Sequence, residues 1–314
     1  MPQSFSIKML EARITLAEGG FDPGTGQSVN TKIFRLGMDA EISKPGGKEK
    51  NKCTLKIYNM RLSDMETLTT LAFDPLAVQK NRLTLLAGDG TTMSQVFQGD
   101  ITSAVPSFSG DASSIFEIQA ITGYVATVTP KETLTGEGSQ DVAQMLQRLA
   151  QQMGLTFKNR GVEGVKLRNV AFVGGAHEQA KEIAEAARIQ MILDDDEMII
   201  GPQGKLRSDD AEGSTPVLRG ESEDRRATGL IGFPSFDAKG IACRCYYEPR
   251  LQIGGPVRIE SIVPKASGLW RVTSLSHSLQ ANHGQAAKWE TSFKATYPNE
   301  EDKDGTKVKK AKEG

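Results

Sequence analysis

The 314-residue chain carries 38 lysines and arginines against 39 aspartates and glutamates, a formal net charge of −1, so no global field draws it to nucleic acid or to an anionic membrane. It is too long for one ordinary core, and two or three domains are expected. No signal peptide opens it and no apolar run approaches the roughly 18 residues of a membrane span, which points to synthesis and assembly in a cytoplasm.

In chain order, Ser4 to Met9 and Glu11 to Ala17 are strand candidates, followed by a glycine-rich turn from Gly19 to Gly26. Phe34, Leu36, Met38, Ala40 and Ile42 then alternate with Arg35, Gly37, Asp39, Glu41 and Ser43, the pattern of one strand with a dry and a wet face. From Cys53 the pattern predicts a strand (Cys53 to Tyr58), a helix (Ser63 to Ala72) capped by Ser63 with Glu66, and strands at Arg82 to Ala87, Ser94 to Val105 and Ser114 to Thr122. A hairpin after the helix gives an antiparallel sheet, not a doubly wound nucleotide fold.

The middle of the chain has helical rather than alternating spacing. Val142, Met145, Leu146 and Leu149 mark one helix (Ser139 to Met153), followed by a strand at Leu155 to Phe157. Ala180, Ile183, Ala184 and Ala187 mark another (Glu178 to Arg188), followed by Ile189 to Leu193. Superposing Leu146 on Ile183 gives a helix-strand unit repeated at an offset of about 37 residues, too few copies for a solenoid. A compact α/β domain with ends in the Gly136-to-Gly138 and Ser208-to-Thr215 stretches is expected to be removable.

The last third returns to strands. Ile241, Cys243 and Cys245 alternate with Ala242, Arg244 and Tyr246, and Val257 and Ile259 with Arg258 and Glu260. In Gly268 to Leu279 the apolar parity changes between Val272 and Leu275, as a bulge would make it. This meander repeats the first third. Thr54 to Tyr58 parallels Ala242 to Tyr246, Arg82 to Ala87 parallels Pro256 to Ile262, Val96-Phe97-Gln98 parallels Leu269-Trp270-Arg271, and Ile115 to Thr122 parallels Trp289 to Thr296. Asn299 to Gly314 is charged and reads as a disordered tail.

Catalytic and metal chemistry find no recognisable setting. Cys53, Cys243 and Cys245 read as small buried side chains rather than a disulfide framework. His177, His277 and His283 fit no zinc spacing. Asp194-Asp195-Asp196-Glu197 lacks the spacing of a calcium loop and reads as the polar turn of a hairpin. Trp270 and Trp289 fall in strands, where core packing is the default. The site reading is therefore no catalytic, cofactor-binding or metal residue, no cofactor, and a non-enzymatic protein.

Gly229-Leu230-Ile231-Gly232-Phe233-Pro234, the Gly240-Ile241 restart, Tyr246-Tyr247-Glu248-Pro249-Arg250-Leu251, Ile253-Gly254-Gly255, Pro256 to Ile262, Gly268 to Val272 and Trp289-Glu290-Thr291 follow one another over some sixty residues. In that order they resemble the C-terminal part of the baseplate hub proteins of tailed phages, related to the hub region of type VI secretion spikes. The resemblance implies an α+β, predominantly antiparallel β protein, with two tail-tube-like β-barrel domains (1–128 and 214–298) around a small α/β domain (129–213), and a tail at 299–314. It implies a homotrimer in the virion baseplate, joining a six-fold tail tube to a three-fold central spike. Tube, spike, and other baseplate or tape-measure proteins would be its partners, with DNA passing through unbound and no membrane span. A tail-tip hub of a non-contractile phage or phage-derived injection device, and a small peptidoglycan hydrolase, are the alternatives.

Overall fold

A computed structural model describes residues 7–21, 29–47, 49–69, 81–108, 114–125, 133–202, 215–220, 229–237, 240–281 and 288–297. The first third contains β1 (Met9–Thr15), β2 (Thr31–Phe34), β3 (Met38–Lys44), β4 (Lys52–Tyr58), α1 (Leu62–Leu68), β5 (Arg82–Gly88), β6 (Met93–Ser107) and β7 (Ile115–Ile121). The middle contains β8 (Leu134–Asp141), α2 (Val142–Gln152), β9 (Thr156–Asn159), β10 (Lys166–Phe172), α3 (Ala176–Ala186), β11 (Gln190–Asp194) and β12 (Glu197–Gly201). The last third contains β13 (Val217–Arg219), β14 (Ser235–Phe236), β15 (Ile241–Tyr246), β16 (Pro256–Glu260), β17 (Gly268–Ala281) and β18 (Trp289–Thr296).

Strands of the first and last thirds form one 13-stranded sheet, running β14-β15-β18-β17-β3-β4-β7-β6-β5-β1-β2 with β16 and β13 branching from β17. The protein is thus mostly antiparallel β with a helical minority, the class the sequence pattern gives. Among the described strands no pairing closes either third into a barrel.

The sheet contains the same four-strand meander twice. β4-β7-β6-β5 and β15-β18-β17-β16 have one order and are antiparallel throughout. Each long strand, β6 and β17, bulges at a threonine. The register slips at Thr102 between Ile101 and Ser103, and at Thr273 between Val272 and Ser274. Thr102 Oγ1 donates to the Gln119 carbonyl at 3.1 Å, and Thr273 Oγ1 donates to the Lys294 carbonyl at 3.1 Å. The registers equate Thr54 with Ala242, as the sequence does, but move the β6–β17 match by two residues, so that Gly99 takes the place of Trp270. The reason is steric: a Cβ on Gly99 would lie 2.7 Å from the Phe97 ring, so the large buried ring of this copy stands two residues earlier in the chain than Trp270 does in the other.

Buried apolar residues gather in three clusters: one from the first third, one between α2, α3 and the inner face of β11–β12, and one from the last third. Three strands belong to more than one. β17 gives Trp270, Val272 and Leu275 to the last cluster and Leu279 and Ala281 to the first. Met191, Leu193, Met198 and Ile200 face the helices, while Ile192 and Ile199 pack in the last-third cluster. Burial on both faces explains why β11 and β12 read as unbroken apolar runs.

Several local expectations change. The alternation from Phe34 to Ile42 is two strands, because β2 pairs with β1 at one sheet edge while β3 pairs with β4 and β17 in the middle. Ser63 is not a cap: Arg61 holds that position with no side-chain cap bond. Gly136 to Gly138 is not a linker but part of β8, paired to β10 with a bulge where Asn169 adopts a φ of 50° and accepts from the Gly138 N–H. The middle repeat is strand-helix-strand at an offset of 34 residues. Leu155 N–H donates to the Ala150 carbonyl, and Ile189 N–H donates to the Ala184 carbonyl. A shift of three residues keeps the same helical face, which is how 37 also fits the letters. Most of Gly19 to Gly26, His283, most of Ser208 to Thr215 and the 299–314 tail lie outside the described residues.

Candidate functional site

The feature that spans both meanders is the wet face of the central sheet. One row of paired residues, Ser103, Gln119, Thr54, Glu41, Ser278, Glu290 and Tyr246, crosses β6, β7, β4, β3, β17, β18 and β15 without a break. A second runs Val105, Glu117, Lys56, Asp39, Gln280. A third runs Ile121, Lys52, Ser43, Ser276, Ser292, Arg244. Charges on this face balance: Asp39, Glu41, Asp100, Glu117 and Glu290 against Lys52, Lys56, Arg244, Arg271 and Lys294. Ser278 donates to Glu41 at 2.6 Å, Tyr58 donates to Asp39 at 2.8 Å, and Arg244 lies 3.8 Å from Glu290. An open hollow of about 770 Å³ lies over its last-third half, lined in part by Ser43, Ser235, Arg244, Ser276, Ser292 and Lys294. Hydroxyls and balanced charge dominate the rows themselves, while Ile231, Phe233 and Phe293 also border the hollow.

Behind this face, where β3 and β17 pair, the β11–β12 hairpin inserts its turn. Lys44 Nζ donates to Asp194 at 3.0 Å and to Asp195 at 2.8 Å, and Asn51 Nδ2 donates to both carboxylates. All three charged side chains are about nine-tenths buried. Asp195 takes a φ of 54°, the left-handed geometry a two-residue hairpin loop requires. The acidic run is therefore turn chemistry, as read, and also the counter-charge of a buried lysine. The sequence signal for the second role was Lys44 itself, an even-numbered β3 residue on the same side as Met38, Ala40 and Ile42.

His277 sits beside this ion cluster on β17, buried, its Nδ1 2.8 Å from Thr291 Oγ1 and its ring 5.4 Å from Tyr247. Tyr247 in turn meets Trp289 edge-on at 5.5 Å. Trp289 is thus half-buried at this joint, while Trp270 is a core residue whose indole donates to the Ala266 carbonyl. Cys53, Cys243 and Cys245 are buried free thiols, and burial pushes each upward from the usual thiol range. His177 is buried in the first turn of α3. Among the described residues no group of three or more His, Cys, Asp or Glu side chains is placed to hold a metal.

Burial would pull the Lys44 ammonium down, but Asp194 and Asp195 outweigh it and hold the group above the usual lysine range. Burial pushes Asp195 up to about 6 against the pull of Lys44, with the charge of Asp194 adding to the rise. Burial and the Lys44 charge push His277 down to about 3. The two titrations oppose each other. Below 6.5 an unfolded His277 takes a proton that the folded one refuses, so stability falls as pH falls. Between 3.8 and about 6 the folded Asp195 holds a proton that the unfolded one releases, so stability rises as pH falls. Asp195→Asn is expected to uncover the His277 limb at about 1.4 kcal/mol per pH unit. Thermal melts across that window should be steeper for the variant than for the parent; equal slopes would refute the assignment.

The fold is that of phage tail proteins. It is similar to the 43 kDa tail protein of prophage MuSo2 from Shewanella oneidensis, with a TM-score of 0.57 and 11% identity over 91% of this chain and 98% of that one. It is also similar to a tail protein from Neisseria meningitidis MC58, with a TM-score of 0.62 and 9% identity over 91% and 96%. A third likeness is to the E. coli c3393 protein, described as a component of the type VI secretion system, with a TM-score of 0.52 and 10% identity over 84% and 74%. No curated protein matches the sequence. The family described as Baseplate hub gp41 matches residues 18–287, and the chain belongs to that family. It is a structural component of the phage tail, in the virion, and not an enzyme.

Proposed function

We propose that the chain is the subunit of a trimeric baseplate hub that adapts a six-fold tail tube to a three-fold spike. Residues 1–128 and 214–298 act as two tube-like domains, with 129–213 as an α/β unit set against them. The observation that carries this reading is the repeated meander, down to the threonine bulge and its 3.1 Å bond in each copy. Three chains with two equivalent units each present six similar units, and so meet both symmetries with closed rings. The wet sheet face forms the channel wall. With five acids and five bases it has no surplus cation to capture phosphates, so DNA and tape-measure protein pass without retention. Likeness to the E. coli type VI component supports a spike as the axial partner. Absolute quantitation of purified tails tests the stoichiometry: three copies of this chain for each six-subunit tube ring are expected, and six copies would overturn the adapter.

A further inference from the structure

Resting on the ring reading, the repeat also says which edges of neighbouring subunits meet. Within the chain the two meanders join by β3 on β17, with Ile42 opposite His277, Glu41 opposite Ser278 and Ala40 opposite Leu279. β14 stands in the second meander where β3 stands in the first, since β3 pairs with β4 and β14 with β15. The registers equate Glu41 with Ser235 and Ile42 with Phe236. On the receiving side the Thr102 and Thr273 bulges equate His277 with Pro106, Ser278 with Ser107 and Leu279 with Phe108. Beyond Ile101, no described strand lies on the β5 side of β6.

Burial separates the joined pair of edges from the other. Ile42 and Leu279, which both lie at the internal joint, are 1% and 0% exposed, whereas their equivalents Phe236 and Phe108 are 51% and 66% exposed. Val105 and Phe233, 42% and 60% exposed, lie beside the same edges on the wet face. We infer that β14 of one subunit pairs with the Val105–Ser107 edge of β6 and the adjoining Phe108 in the next, repeating between chains the β3–β17 joint and setting Phe236 opposite Pro106 and Ser235 opposite Ser107. Asp237 N–H donates to the Gly240 carbonyl, which turns Asp237 and Ser235 toward β15 and Phe236 toward the neighbour. Pro106 and Pro234 lack donors that His277 and Ala40 have at the internal joint. The contact between chains therefore leans on the phenylalanines, and prolines on both edges discourage unregulated strand pairing.

Ser235 and Ser107 would form a non-hydrogen-bonded pair, with Cα atoms about 4.5 Å apart and within disulfide reach. The full chain carrying Ser107→Cys and Ser235→Cys, mildly oxidised in solution and in assembled tails, is expected to give covalent dimers and closed trimers. Neither single variant should do so. Phe236→Lys changes an exposed residue and should weaken association about tenfold or more with an unchanged melting temperature. Trimers by native mass that never cross-link, or that tolerate Phe236→Lys, would overturn this interface and leave the hub intact. Monomers in solution together with no trimer in assembled tails would overturn both.

Discussion

Lys44→Met is expected to cost about 3–5 kcal/mol, because it leaves Asp194 and Asp195 buried without their ammonium. Denaturant unfolding of the full chain reads it directly. The control is specific: adding Asp194→Asn and Asp195→Asn to Lys44→Met removes the stranded charge and should recover most of the loss, since a buried ion cluster replaced as a whole is close to neutral. A single variant that loses less than about 1 kcal/mol would show that the cluster behaves like a surface pair, contrary to its burial.

Deletion of residues 130–213 is expected to collapse the protein, the reverse of what the sequence suggests. The segment looks autonomous from its own strand-helix-strand repeat and its own core. Yet the β11–β12 hairpin lends Ile192 and Ile199 to the last-third core and Asp194 and Asp195 to Lys44. Losing two buried isoleucines costs about 2–5 kcal/mol apiece, and the stranded lysine adds to that; together they rival the roughly 5–15 kcal/mol of a typical domain. The deletion should therefore aggregate or melt without a cooperative transition. Cooperative melting within a few degrees of the full chain would contradict this account of the joint.

Strands bounded by turns were legible, and so was the bulge near Thr273, because a period of two records which face is dry and a parity change records a slip. The repeat was legible for the same reason, apart from its β6–β17 register, where Phe97 reaches over Gly99 and the buried ring is no longer at the matching letter. Tertiary choice was not legible. Phe34 to Ile42 alternates as one strand would, and nothing local says that Phe34 belongs to the β1 edge while Met38 belongs to the sheet centre. The acidic run Asp194 to Glu197 shows its turn but not its partner, since Lys44 lies 150 residues away. The wet sheet face had no motif to find. It consists of the residues between the core positions, and only strand order turns them into one surface.

The most direct test of the hub reading is a density map of the assembled tail. It should show three chains in one ring, the two meanders of each chain superposing after a rotation of about 60° around the tube axis, and the Glu41 and Ser278 row facing the lumen. A ring of six chains, or one meander in the ring and the other packed elsewhere, would contradict it even in a genuine tail component.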